Sequence, residues 1–84
     1  VKYEETIDAI CNASRLKMLI NSHKGDIEQL DPKMAIELAK GELNELLEAM
    51  EADNYEKAIT ECGDVMNFII SVGYNAIEGY RRRK

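Results

Sequence analysis

The sequence has little of what usually specialises a small protein: no tryptophan, one histidine, one phenylalanine, one proline and two cysteines in 84 residues. A lone histidine excludes the imidazole-rich donor sets that bind zinc. Cys11 and Cys62 both sit inside apolar helical patterns, so they make no disulfide framework and read as reduced core thiols. One Pro and five Gly leave few interruptions, which predicts a few long elements. No secretory leader pattern and no apolar run of membrane-spanning length is present, so the expectation is a cytoplasmic chain with no membrane partner.

What the chain does have is acid. The net charge is −5, but Arg81, Arg82, Arg83 and Lys84 end the sequence, so its first eighty residues carry −9. Residues 37–64 hold nine Asp or Glu against two basic residues, Lys40 and Lys57. Such a surface repels phosphate backbones and argues against a nucleic-acid partner. A bound divalent cation would reverse that repulsion locally.

Eighty-four residues predict one domain, 1–84, of class all-α. Residues 3–22 place Tyr3, Ile7, Ile10, Cys11 and Met18 on one stripe at helical spacing, and Ala9, Ala13, Leu16 and Ile20 on another. Two stripes imply two partners for that helix, one of them in another subunit. "NSHKGDIEQLD", residues 21–31, reads as a loop. Asp31-Pro32 is a helix start, with the proline at the first helical position, and the second helix is expected to run to about Ala52. Its main stripe is expected to be Ala35, Ala39, Leu43, Leu46, Leu47 and Met50. Asp53-Asn54 breaks the pattern, and a third helix follows over about 55–80. That helix is expected to pack through Tyr55, Ala58, Ile59, Cys62, Met66, Ile69, Ile70, Gly73 and Ile77. The architecture expected is an antiparallel bundle of about three helices per chain, completed by oligomerisation.

The two-residue break makes helices two and three antiparallel neighbours. At about 1.5 Å of rise per residue, Glu42 lies ~17 Å from the turn and Asp64 ~16 Å; Glu45 lies ~13 Å and Glu61 ~11 Å. The pairs Glu42/Glu45 and Glu61/Asp64 are therefore level. Glu48 and Glu51 are too near the turn to face Asp64, and they point away from the apolar stripe. On the third helix, Lys57, Glu61, Asp64, Phe68, Ser71 and Asn75 share a face, and a phenylalanine in its middle predicts that the face is covered. Spacing leaves two readings open: a metal cluster or a solvated acidic face. Oxygen ligands with neither His nor thiolate would select Mg²⁺, with Mn²⁺ as a substitute.

The pattern E-x-x-E, fifteen residues, E-x-x-D resembles the signature of the MazG-like nucleoside triphosphate pyrophosphohydrolases, within the all-α superfamily that includes dimeric dUTPases and phosphoribosyl-ATP pyrophosphohydrolases. "GELNELLEAM" looks like the family's first acidic helix and "ECGDVMNFII" like its second; the likeness covers roughly residues 33–72. It departs from the pattern at Gly41 and Thr60, where family members often carry a further acid. It also lacks the Tyr-His after Asp64 typical of phosphoribosyl-ATP enzymes.

The resemblance implies Mg²⁺ held by Glu42, Glu45, Glu61 and Asp64, and hydrolysis of a nucleoside triphosphate to monophosphate and pyrophosphate. Within it Glu45 also orients the attacking water. Lys57, one turn before Glu61, would touch a phosphate, or else pair on the surface with Glu61 or Asp53. Asn67 would bond the sugar or base, or else solvent. A single short copy implies a homo-oligomer, dimer or tetramer. The tail 81–84 is a frayed end or a contact to a neighbouring subunit's triphosphate, and His23 is expected near a helix C-terminus. The competing reading is a non-catalytic helical interaction or nucleotide-binding module, supported by Gly41, Thr60 and the second stripe of the first helix.

Overall fold

The computed structural model describes residues 2–20 and 30–83. Residues 21–29, and with them most of the expected loop, His23 and the expected end of the first helix, lie outside the described residues. So do Val1, Lys84 and the Ile20 side chain. The described residues form three helices, α1 (Glu4–Ile20), α2 (Pro32–Glu51) and α3 (Tyr55–Arg82), and contain no strand. Among the described residues no helix is long and apolar enough to cross a membrane.

The helix ends follow local chemistry. Pro32 occupies the first turn of α2, where its missing N–H costs nothing, although the Asp31 side chain makes no cap hydrogen bond. Glu4 and Glu5 open α1, while Arg81 and Arg82 close α3, each sign matching its end of the helix dipole. Between α2 and α3 the chain turns on Asp53, whose φ is +53°. Asp53 N–H donates to the Met50 carbonyl at 3.1 Å and Asn54 N–H to the Ala49 carbonyl at 2.8 Å. This pair of bonds is a Schellman closure, with Asp in the left-handed position where Gly is commonest. Asn54 then caps α3, its side-chain oxygen accepting from Lys57 N–H at 3.2 Å. One dipeptide thus ends one helix and starts the next, which makes them antiparallel neighbours.

α3 is the shared element. Both α1 and α2 pack on it, and α1 and α2 do not meet among the described residues. Small side chains set both approaches. On the α1 side, a Cβ at Gly63 would lie 2.9 Å from the Ala13 carbonyl carbon and Cβ, so only glycine fits there. Ala35, Ala39 and Ala49 of α2 are buried, as is Ala58 of α3.

The cores expected for α2 and α3 need correction. Ala35, Ala39 and half-buried Leu46 do lie on the packed stripe of α2, but Glu42 and Ala49 complete it. Leu43, Leu47 and Met50 are exposed, Leu47 by 58%. On α3, Ala58 is buried and Cys62, Met66 and Gly73 are half-buried, while Tyr55, Ile59, Ile69, Ile70 and Ile77 are exposed. The polar face of α3 is instead the covered one: Glu61 and Ser71 are buried, and Asp64, Phe68 and Asn75 half-buried. Small and polar residues line the interior of the single chain, and its large apolar residues face outward. On α1, Ser14 is buried and Ile10, Cys11 and Met18 half-buried, while Tyr3, Ile7, Ala9 and Leu16 are exposed.

The shape agrees. The radius of gyration is 14.0 Å, against about 12 Å for a compact chain of this length. The accessible surface is 6561 Å², about 1,500 Å² above a compact monomer of this mass.

Candidate metal centre

Glu42 and Glu45 stand one turn apart on α2, and Glu61 faces them from α3. Carboxylate oxygens of all three lie within 4.8 Å of one another. The stripe Ala35, Ala39, Glu42, Leu46, Ala49 turns Glu42 into the α2–α3 interface, and Glu61 is only 7% exposed. Glu45 sits at the exposed rim.

Two features mark this site as costly. Among the described residues, Oε2 of Glu42 and Oε2 of Glu61 are both buried without a hydrogen-bond partner. A buried acceptor left unpaired costs about 1–3 kcal/mol, and more when charged. The Glu42 carboxyl is also pushed up from 4.5 to about 8. The largest cause is a hydrogen bond shared with the Glu61 side chain, followed by burial and then by the negative charges of Asp64, Glu61 and Glu45. Near neutrality Glu42 therefore keeps its proton, because two carboxyls this close resist ionising together.

Asp64, one turn beyond Glu61, is outside the group of three but close enough for its charge to be felt at Glu42. It is engaged from the other side: Lys17 of α1 places its Nζ 3.6 Å from Asp64 Oδ1. Lys17 was not among the residues the sequence singled out. The available signal was Ser14 and Lys17 interleaved with Ile10, Cys11 and Met18 on one α1 stripe. Ser14 belongs to the same interface, its hydroxyl donating to Asn67 Oδ1 at 2.5 Å.

The other candidate residues are placed differently. Lys57 is exposed, only its backbone N–H is engaged, and among the described residues its side chain forms no ion pair. Asn67 faces α1, its carbonyl oxygen occupied by Ser14. Lys40 pairs with Glu37 at 3.1 Å on the surface. Gly41 is exposed and opens no space problem, and the Thr60 hydroxyl donates to the Glu56 carbonyl of its own helix. In the tail, Arg81 pairs with Glu78 at 3.1 Å. Cys11 and Cys62 are free thiols.

The donor set suits a hard divalent cation. It offers oxygen only, two of its oxygens lack a partner among the described residues, and one group carries a proton that a cation would replace. No family model, curated protein or solved structure matches the chain.

Proposed function

We propose that the chain is a Mg²⁺-dependent nucleotide pyrophosphohydrolase of the MazG-like kind, splitting nucleoside triphosphates into monophosphate and pyrophosphate. The observation that carries this reading is the pair of buried, unpartnered carboxylate oxygens on Glu42 and Glu61, facing each other across α2 and α3. A solvated acidic face would leave such groups in water, and a purely structural interface would give them donors.

Glu42, Glu45, Glu61 and Asp64 would hold the ion, the first three already gathered and Asp64 one turn beyond Glu61. When bound, Mg²⁺ supplies charge neutralisation at the phosphates and acidifies a water for in-line attack at the α-phosphorus. The roles within the chain follow burial. Glu42 and Glu61, fixed in the interface, are the ligands whose positions vary least. Glu45, at the exposed rim, orients the attacking water and accepts its proton. The α2–α3 hairpin holds these groups on rigid helices rather than loops, so little reorganisation accompanies reaction.

The working form in this reading is a homo-oligomer. Leu43, Leu47 and Met50 of α2 and Ile59, Ile69 and Ile77 of α3 are exposed. The surplus surface of about 1,500 Å² exceeds the ~800 Å² that each partner buries in a standard interface. A second copy offers the same apolar stripes in return.

The test is a product assay with the purified chain, a panel of ribo- and deoxynucleoside triphosphates, and Mg²⁺ or EDTA. Monophosphate and pyrophosphate are expected with Mg²⁺ alone. Equal product in EDTA, or none in Mg²⁺, rejects the reading.

A further inference from the structure

The cation that faces the acidic cluster comes from α1, the helix that supplies none of the acids. Among the described residues Lys17 is the only basic side chain in an ion pair with Glu42, Glu45, Glu61 or Asp64. Its position is built rather than incidental. α1 is locked to α3 by the close approach of Ala13 to Gly63 and by the Ser14–Asn67 hydrogen bond. Lys17 follows Ser14 by one turn and Asp64 adjoins Gly63, so the same docking that closes the helix pair delivers the ammonium to the carboxylate.

The pair is also loose. Its separation of 3.6 Å exceeds the ~2.7–2.9 Å of a charge-assisted hydrogen bond. The Lys17 side chain is 31% exposed against 19% for Asp64, so its head can leave the carboxylate without being stripped of water twice. Beside it, Ala13, Leu16, Lys17 and Thr60 line a groove of about 240 Å³ between α1 and α3.

We propose that Lys17 is a substrate-binding residue: its ammonium holds Asp64 in the metal-free protein and turns to the substrate's phosphates when a divalent cation takes that carboxylate. This rests on the metal-centre reading above and adds to it the residue that recognises the anion. The reasoning is charge balance. An ammonium is repelled from a carboxylate that shares a divalent ion, while a triphosphate brings several negative charges to the same place. Lys17 is a compact, mobile point charge on a flexible stem, the kind of cation that can follow them. Lys57, the alternative in the same sequence, forms no ion pair among the described residues.

The test uses the full chain with Lys17→Met, which keeps the apolar stem and removes the charge, and Lys17→Arg, which keeps a charge. Mn²⁺ binding and the binding of an α,β-imido nucleoside triphosphate in Mg²⁺ are measured by calorimetry, alongside melting temperature in EDTA. For Lys17→Met the expected results are a lower melting temperature in EDTA and Mn²⁺ binding that is unchanged or severalfold tighter. Nucleotide binding is expected to weaken about tenfold or more, the size of one charge-assisted hydrogen bond. Lys17→Arg should restore most of it. A Lys17→Met chain that melts lower yet binds Mn²⁺ and nucleotide as wild type does would make Lys17 a structural ion pair only and overturn the proposal, leaving the metal centre standing. Wild-type chain that binds no Mn²⁺ would overturn both.

Discussion

The two sides of α3 treat buried polar groups in opposite ways. On its α1 side the polar residues brought inside meet partners: Ser14 donates to Asn67, Lys17 faces Asp64, and Gly63 clears the space that lets the helices meet. On its α2 side Glu42 and Glu61 are pressed together with an oxygen each left over. The same helix, in the same 84 residues, therefore shows that the chain can satisfy its buried polar atoms. Leaving two carboxylates unsatisfied on the other side is what the proposed metal centre would look like before its cation arrives.

The comparison is broken most sharply by Glu61→Gln. With Glu61 as a ligand of the proposed metal centre, turnover is expected to fall about 10²-fold or more. Metal-free stability should hold or rise by up to about 1 kcal/mol, because a buried charge beside Glu45 and Asp64 is removed while the amide oxygen can still accept from protonated Glu42. Activity assays paired with thermal melts in EDTA read both signs, and a loss of stability would place Glu61 in an ordinary structural role. Ser14→Ala should give a smaller effect of opposite pattern. It leaves Asn67 Oδ1 without its donor and costs about 1–3 kcal/mol, read from denaturant midpoints, with little change in turnover. If the Glu61 and Ser14 variants changed stability alike, the two sides of α3 would not differ as described.

Much of this frame is legible in the residues themselves. Pro32 marks the start of α2, Asn54 the start of α3, and the two-residue turn puts Glu42 and Glu45 level with Glu61. Phe68 correctly signalled that the acidic face of α3 is covered. The rotation of each helix was not legible. Apolar periodicity follows the large side chains, so Leu43, Leu47, Ile59 and Ile77 dominate the pattern although all four are exposed here. The interior of the single chain is lined by Ala35, Ala39, Ala49 and Ala58, whose weak apolar signal is masked by those residues. Lys17 escaped for another reason. Its meeting with Asp64 depends on the docking angle of α1, set by Ala13 against Gly63 rather than by anything next to it in sequence.

The most direct measurement is the melting temperature of EDTA-stripped protein as a function of pH, with and without Mg²⁺. Glu42 titrates near 8 in the fold against 4.5 in the unfolded chain, so the folded state binds the extra proton between those values. Its contribution is fully present below about pH 4.5 and is lost as pH rises through 8. Metal-free protein should therefore melt progressively lower across that window, in a way that Glu42→Gln flattens. Mg²⁺, which displaces the proton, should restore stability and do so more strongly near pH 8 than near pH 5. A metal-free melting temperature that stays flat across the window, with no response to Mg²⁺ at either end, would mean that Glu42 and Glu61 are not held together for a cation.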